Sequence, residues 1–429
     1  MTALLVVLAF AFMLVIGTPI AFVLGLAGVI ALVGSSGGSL LMLVPQQIFS
    51  GMNSFVLMAI PFFILAGELM NAAGITSKIV NLSNALVGRM KGGLGHVNIV
   101  ANVIFATMSG AAVAAVAGLG TILIPSMEQS GYDKSYACAL TASASVIGPT
   151  IPPSIPMVVC ASTAGISVAA MFAGGIFPGL LLGGLMMILN GIISARRGYQ
   201  LDGQAYKGTK AEVVKDGLIA LGMPAIIILG ILGGIFTATE AAAVAVAYAV
   251  IIGRFVFKTL DAKVLWQVFK NAVSKTGVSL LLVSMGGILS WVMASEQVPA
   301  KMAGVILSIG GSQVVFMLLS IILLLIIGCF MDLTASLIML TPILLPIAVQ
   351  LGINPVHYAL VMVVALNVGL ITPPVGAVLF VTCAVAREKF ENIVQEVWPF
   401  LACHAIALGI IAFMPKLTLF IPRALGLLQ

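Results

Sequence analysis

The sequence predicts an all-α polytopic membrane protein built from two repeats of inverted topology, each with a re-entrant helical hairpin and a discontinuous helix. Three observations predict it. The 429 residues are 61% apolar and 7% charged, where soluble domains carry about 25% charged residues. The segment 131–153, GYDKSYACALTASASVIGPTIPP, recurs without a gap 221 positions later at 352–374 as GINPVHYALVMVVALNVGLITPP. In both copies an apolar run is interrupted by Gly (Gly148, Gly369) and a proline pair (Pro152 and Pro153, Pro373 and Pro374). Two prolines remove two backbone donors and clash with the preceding turn, so an α-helix cannot continue through either place. Broken helices survive in lipid only where protein or a water-filled cavity surrounds them, and paired interruptions in two halves point to a transporter's binding site. The third observation is the distribution of charge, which sets one half against the other.

In chain order, 2–16 is an apolar segment without the basic n-region or small-residue cleavage site of a removable signal, so it reads as retained. Gly17, Thr18 and Pro19 turn the chain into a second segment at 19–34; each is short for a span of about 20 residues, leaving one bent span open as well as two. A Gly/Ser loop at 35–39 precedes a span at 53–74. Residues 75–90 alternate apolar with Lys, Asn, Ser and Arg at helical spacing, an amphipathic interfacial helix, and complete a scaffold part at 1–90. Within 91–195, two apolar arms at 91–130 flank the small-residue tip Ser109, Gly110 and Ala111; a re-entrant hairpin and two full spans both fit. The first broken helix follows at 132–163, and 167–195 spans back.

The polar stretch 196–215 links the repeats. The second scaffold part, 216–310, holds spans at 216–236 and 239–257, a basic connector at 258–274, a span at 275–294 and an interfacial piece at 297–310. The last part, 311–429, holds a hairpin at 312–350 with its turn at CFMDLTAS, the second broken helix at 355–386 and a span near 396–421.

Sixteen of the 19 Lys and Arg residues fall on one side of this arrangement, leaving Lys301, Lys416 and Arg423 opposite. The positive-inside rule makes the rich side cytoplasmic. Both termini then face outward, and the two hairpins open from opposite sides. The net charge of +6 therefore reflects topology, not a nucleic-acid partner. No Walker loop or HExxH string occurs, and His96, His357 and His404 are widely spaced, so the sequence offers no ATPase or metalloprotease motif. The five cysteines sit in apolar runs without metal-like spacing and read as small buried hydrophobes.

Three acidic residues lie in or beside apolar segments: Glu68, Glu240 and Asp332. A charge at mid-bilayer costs at least about 2.5–3.5 kcal/mol, so each is a candidate functional group. Asp332 is the sharpest, at the second tip with Thr334 and Ser336; it suits both a cation site and a helix N-cap. Glu68 falls late in a scaffold span and Glu240 follows Thr237 as a cap, so both read as structural, and Asp332→Asn is expected to slow transport more than Glu68→Gln. At the breaks, unwound carbonyls and nearby Ser143, Ser145, Thr150, Ser154, Asn367 and Thr372 supply the oxygens that hard cations want. The half-helix N-termini after Pro153 and Pro374 suit an anionic group.

The strings MAIPFFILAGELMNAAGIT, GGLGHVNIVANVIFATMSGAAVA, GYDKSYACALTASASVIGPTIPPSIPMV, TATEAAAVAV, MDLTASLIMLTPILLPIA and NVGLITPPVGAVLFV, spread over both repeats, resemble the large membrane (DctM-like) subunit of tripartite ATP-independent periplasmic (TRAP) transporters. Sodium–dicarboxylate carriers share the repeat plan but not these strings. Many relatives carry Asp where this chain has Ala115. The resemblance implies sodium-coupled uptake of an organic acid (a C4-dicarboxylate, sialic acid or related carboxylate) across a bacterial inner membrane. It also implies a small four-helix membrane partner, a periplasmic substrate-binding protein, and an elevator in which hairpins and broken helices move against the scaffold. Sodium ions are then the coupling ions and no other cofactor is expected. Candidate sodium ligands are Ser109, Gly110, Ser143, Ser145, Gly148, Pro152, Gly328, Asp332, Thr334, Asn367, Gly369 and Thr372. Candidate substrate contacts are Ala111, Pro153, Ser154, Ser336, Pro374 and Val375. A proton-coupled carrier, with Asp332 and Glu68 as protonation sites, and a channel are the alternatives; an intramembrane enzyme lacks its catalytic dyad.

Overall fold

The computed structural model describes residues 8–428 except 11, 15, 37, 39, 200–208, 302, 303 and 305–311. Among the described residues every regular element is helical. Among the described residues, eight helices are long and apolar enough to cross a membrane, or up to ten if each of two bent pairs is one span. The protein is thus a multi-pass membrane protein.

After a turn at Gly17 (φ +83°), α1 (Ile20–Ser36) begins. Residues 40–52, which the sequence left without a helix, hold α2 (Leu43–Met52), bent 59° from the following segment Val56–Ala72 that contains α3 (Ala59–Ala72). Its two glutamines and ten-residue length hide α2 from a search for spans, and none of its residues is buried. The amphipathic α4 (Ile75–Val87) buries Ile75, Ile79 and Leu82 and is tied by Lys78 to Asp216. The first hairpin is α5 (Gly93–Ser109) and α6 (Ala112–Gln129), the latter with a π turn at Val116–Gly120. Then follow α7 (Lys134–Ser145), α8 (Ile155–Ala164) and the long α9 (Val168–Arg197).

The second half comprises α10 (Lys210–Leu232), α11 (Ala238–Ile251), α12 (Ala262–Ser295), α13 (Gln313–Phe330), α14 (Leu333–Gln350), α15 (Pro355–Gly369), α16 (Ala377–Ala386), α17 (Phe390–Phe413) and α18 (Pro415–Ala424). Three expectations are corrected here. The span expected at 216–236 starts earlier, because Thr209 and Glu212 form a capping box that launches α10 at Lys210. The connector at 258–274 and the span at 275–294 are one 34-residue helix, α12, started by the Asp261 side chain accepting from Val264 N at 2.7 Å. No proline interrupts 262–295, so nothing local ends the helix where its composition turns apolar. The last span runs from Phe390 and stops at Phe413, because Pro415 pushes Met414 out of the helical region (φ −121°, ψ 76°) and opens α18. Most of the interfacial piece expected at 297–310, and the middle of the 196–215 linker, lie outside the described residues.

The correspondence seen at 131–153 extends to the preceding helix. Helices α6 and α14 match end to end at an offset of 221 residues, and α7 and α15 start at the same offset. Their N-caps, Asp133 and Asn354, each accept two backbone N–H groups through one side-chain oxygen. Arg197 lies over the Tyr136 ring at 5.1 Å, and at the equivalent positions His357 bonds Thr418 at 2.8 Å.

The helices leading into the breaks are deeply buried. Residues 136–145 of α7 and 356–369 of α15 are all buried, as expected of helices apolar on every face. Helix α7 packs on α5 and α17, α15 on α13, α14 and α9, and α8 crosses to α14 of the other repeat. Helix α12 packs against α1, α2 and α3 on one side and α14 on another, the seam where these helices meet the second hairpin.

A candidate binding site between two hairpin tips

Each hairpin tip is pressed against the break of its own repeat. At the first, Gly110 turns the chain with φ +59°, and a Cβ there would stand 3.1 Å from Ile155 N and 3.4 Å from Pro153 O. A side chain is therefore excluded both by the left-handed backbone and by the approach of the broken segment. At the second, Gly376 N donates to Cys329 O (3.0 Å) and Cys329 Sγ donates to Thr372 O (3.0 Å). Gly328 and Gly369 face each other so closely that a Cβ on Gly328 would lie 2.7 Å from Leu366 O. The proline pairs at 152–153 and 373–374 each hold a cis peptide bond.

The breaks are held internally by side chains. Ser154 donates to Pro149 O (2.6 Å) and caps α8 by accepting from Met157 N (3.3 Å); Thr372 Oγ1 donates to Val368 O (2.8 Å). Asn367 Nδ2 donates to Thr150 Oγ1 (3.3 Å), joining the two breaks across the repeats. Buried His404 Nε2 donates to Ser143 O (3.0 Å). Among the described residues, Asn367 Oδ1 and Ser143 Oγ are buried without a hydrogen-bond partner. Such oxygens are costly to leave bare, and neutral oxygens of this kind are the ligand type hard cations take. No group of three or more His, Cys, Asp or Glu suited to a metal occurs among the described residues.

Both tips line one cavity of about 920 Å³. Gly110 and Ala111 come from the first tip, Asp332, Thr334 and Ala335 from the second, and Ile155 and Pro156 from the start of α8. The opposite wall is the scaffold: the start of α1, Phe63 to Asn71 of α3, and Ser274 to Leu282 of α12. Asp332 serves as the N-cap of α14, its Oδ1 accepting from Thr334 N (2.8 Å) and Ala335 N (3.4 Å), while its side chain borders the cavity. Of the two roles read from the sequence, the cap is present in the structure.

Of the other candidates, Ser145 donates to Ala142 O (2.7 Å) and Ser336 to Asp332 O (2.8 Å). Gly148 and Pro152 lie buried in the first break, and the side chain of Ser109 is outside the described residues. Of the candidate substrate contacts, Ala111 lines this cavity, whereas Pro153, Ser154, Ser336, Pro374 and Val375 are not among its lining residues. What the sequence reading undervalued is the scaffold wall. Glu68 of α3 forms an ion pair with Lys275 of α12, and both line the cavity with Asn71, Ser274 and Ser279. Glu68 was visible in an apolar run and Lys275 at the edge of a basic connector, but their meeting, 207 residues apart, was not. Glu240 is the cap the sequence suggested: its carboxylate accepts from Thr237 N (2.8 Å) and Thr237 Oγ1 (2.9 Å).

Comparison with known proteins bears on the same regions. The family model for the DctM component of tripartite ATP-independent periplasmic transporters matches residues 7–417. The chain is 39% identical over 378 residues to the sialic acid TRAP transporter large permease protein SiaM of Vibrio cholerae, covering 88% of each. It is 39% identical over 412 residues to the isethionate TRAP transporter permease protein DctMQ of Oleidesulfovibrio alaskensis, covering 96% of this chain and 65% of that one. Among solved structures, the Alcanivorax borkumensis YdaH transporter is similar with a TM-score of 0.63 at 14% identity, over 90% of each chain, a likeness of fold.

Proposed function

The chain belongs to the DctM family, the large-permease component of tripartite ATP-independent periplasmic transporters, and from that membership we propose that it carries an organic acid anion inward by sodium symport. The observation that carries the reading is the convergence of two hairpin tips on one cavity, each tip braced by a broken helix with bare or unwound oxygens. In this reading sodium ions occupy the oxygen sets at the two breaks. One of them offsets the Asp332 carboxylate beside the cavity, so that an anion can enter it. Each sodium charge moving inward contributes about 2.3 kcal/mol per 100 mV of membrane potential, beyond its own gradient.

The substrate class follows from relatives named for sialic acid and isethionate, both acids. A small membrane subunit and a periplasmic binding protein complete the assembly; the greater length of the DctMQ relative leaves room for a fused second subunit. The basic loops place the connectors after α3 and before α12 in the cytoplasm of a bacterial inner membrane, with both termini periplasmic. The paired breaks then belong to inverted repeats, and the hairpins, α7, α8, α15 and α16 travel together past α3 and α12 as an elevator.

The test is uptake into proteoliposomes holding the chain with its small subunit, supplied with binding protein. Replacing sodium by potassium should reduce uptake to background. Undiminished uptake in potassium that responds to a pH gradient would favour proton coupling, with Asp332 as the exposed carboxylate available for it. Flux without the binding protein or any ion gradient would mean a channel.

A further inference from the structure

The charged side chains among the described residues lining the cavity are Glu68, Lys275 and Asp332. Two of the three are acidic, an unfavourable setting for an organic anion unless the single cation is available to it. That cation already has a partner, Glu68. The two members of the pair are unequally covered: the Glu68 side chain is 21% exposed, the Lys275 side chain 56%. An ammonium carries three donors in no fixed plane, so engagement with Glu68 leaves others facing the cavity. Beside it stand Ser274, Ser279 and Asn71, neutral polar groups on the same wall. As a clasp between α3 and α12 the pair adds little, because exposed ion pairs contribute little to stability and the two helices already pack along their lengths.

We propose that Lys275 is the fixed counter-charge for the carboxylate or sulfonate of the substrate, and that Glu68 competes with that group for it. This rests on the reading of the chain as an organic-anion carrier and adds the residue that recognises the anionic group. In the empty cavity Glu68 keeps Lys275 neutralised; an arriving acid displaces it and gains the ammonium. Because the pair belongs to scaffold helices and Asp332 to a hairpin tip, the substrate is held between the two walls.

The test uses proteoliposomes with the full chain, small subunit and binding protein, and radiolabelled sialic acid, isethionate and succinate as probes. For the acid wild type takes up best, Lys275→Gln should raise KM on the order of tenfold, while Lys275→Arg stays within about threefold of wild type. Glu68→Gln should move KM the other way, lowering it about threefold, because the competitor is gone. Opposite shifts support the proposal. Parallel losses in Glu68→Gln and Lys275→Gln, with melting temperatures lowered together, would make the pair a structural clasp and overturn it while leaving the carrier reading intact. Should Lys275→Gln fail to fold, Glu68→Gln decides alone: a KM equal to or above that of wild type refutes competition. If wild type takes up none of the three acids, the carrier reading and this inference fall together.

Discussion

Gly369→Ala puts the second tip-and-break contact to a direct test. A Cβ at Gly369 would stand 2.7 Å from Gly328 C and Cα and 3.0 Å from Leu325 O, all backbone atoms of α13. Carbon atoms settle near about 3.5 Å or more apart, so the helices must part locally by about 0.8 Å, with no flexible side chain to absorb it. The cost of such overpacking is about 1–3 kcal/mol. The more telling consequence is functional: the Gly376 N to Cys329 O bond of 3.0 Å, stretched by the same amount, reaches about 3.8 Å and is lost. The second tip then no longer fixes the carbonyls at 369–372. The expected result is a lower melting temperature in detergent together with a raised half-saturating sodium concentration for uptake. Gly409→Ala is the control, since nothing lies within 4 Å of its added carbon. If Gly369→Ala matched Gly409→Ala in both measurements, the tip would not be organised by this contact and the reasoning would fail.

Asp332→Asn should keep the α14 cap, since Asn caps about as well as Asp, yet slow uptake on the order of tenfold at saturating substrate, where Glu68→Gln, acting on KM, leaves the rate near wild type; wild-type rates for Asp332→Asn at saturating sodium would remove the charge from the mechanism. Asn367→Leu removes the bond to Thr150 and the bare Oδ1, so the half-saturating sodium concentration should rise at least about fivefold with substrate KM little changed at high sodium. A sodium titration of uptake reads this directly. Asn190→Ala strips Tyr136 of its acceptor (2.9 Å) and Gly92 O of a donor (3.3 Å) in the buried end of α7, and should cost about 1–3 kcal/mol in thermal or denaturant unfolding.

What was legible in the sequence was what the chain encodes locally. Proline pairs and glycines break helices wherever they stand, so both discontinuities and both tips could be placed from Gly148, Pro152, Gly369 and Pro373 and from the small or polar residues around 110 and 332. The capping roles of Asp332 and Glu240 were equally local, since an N-cap accepts from amides two or three residues ahead and the third helical residue of a capping box reaches back to the cap. The fused helix α12 was hidden because composition changes along it while the backbone does not; α2 was hidden because a short, polar helix carries no span signal. The Glu68–Lys275 pair failed for a different reason. Each charge had a bland local explanation, a late position in a span for one and the edge of a basic connector for the other. Only packing α3 against α12 turns two isolated charges into one group facing a cavity. For a carrier of this architecture that asymmetry is expected. Oxygen sets made by broken backbone are written into short strings, whereas a group that recognises an anion across a seam between packed helices has no sequence signature of its own. On the proposed reading, mutagenesis guided by the breaks alone would probe ion coupling and leave the Lys275 side of substrate recognition untouched.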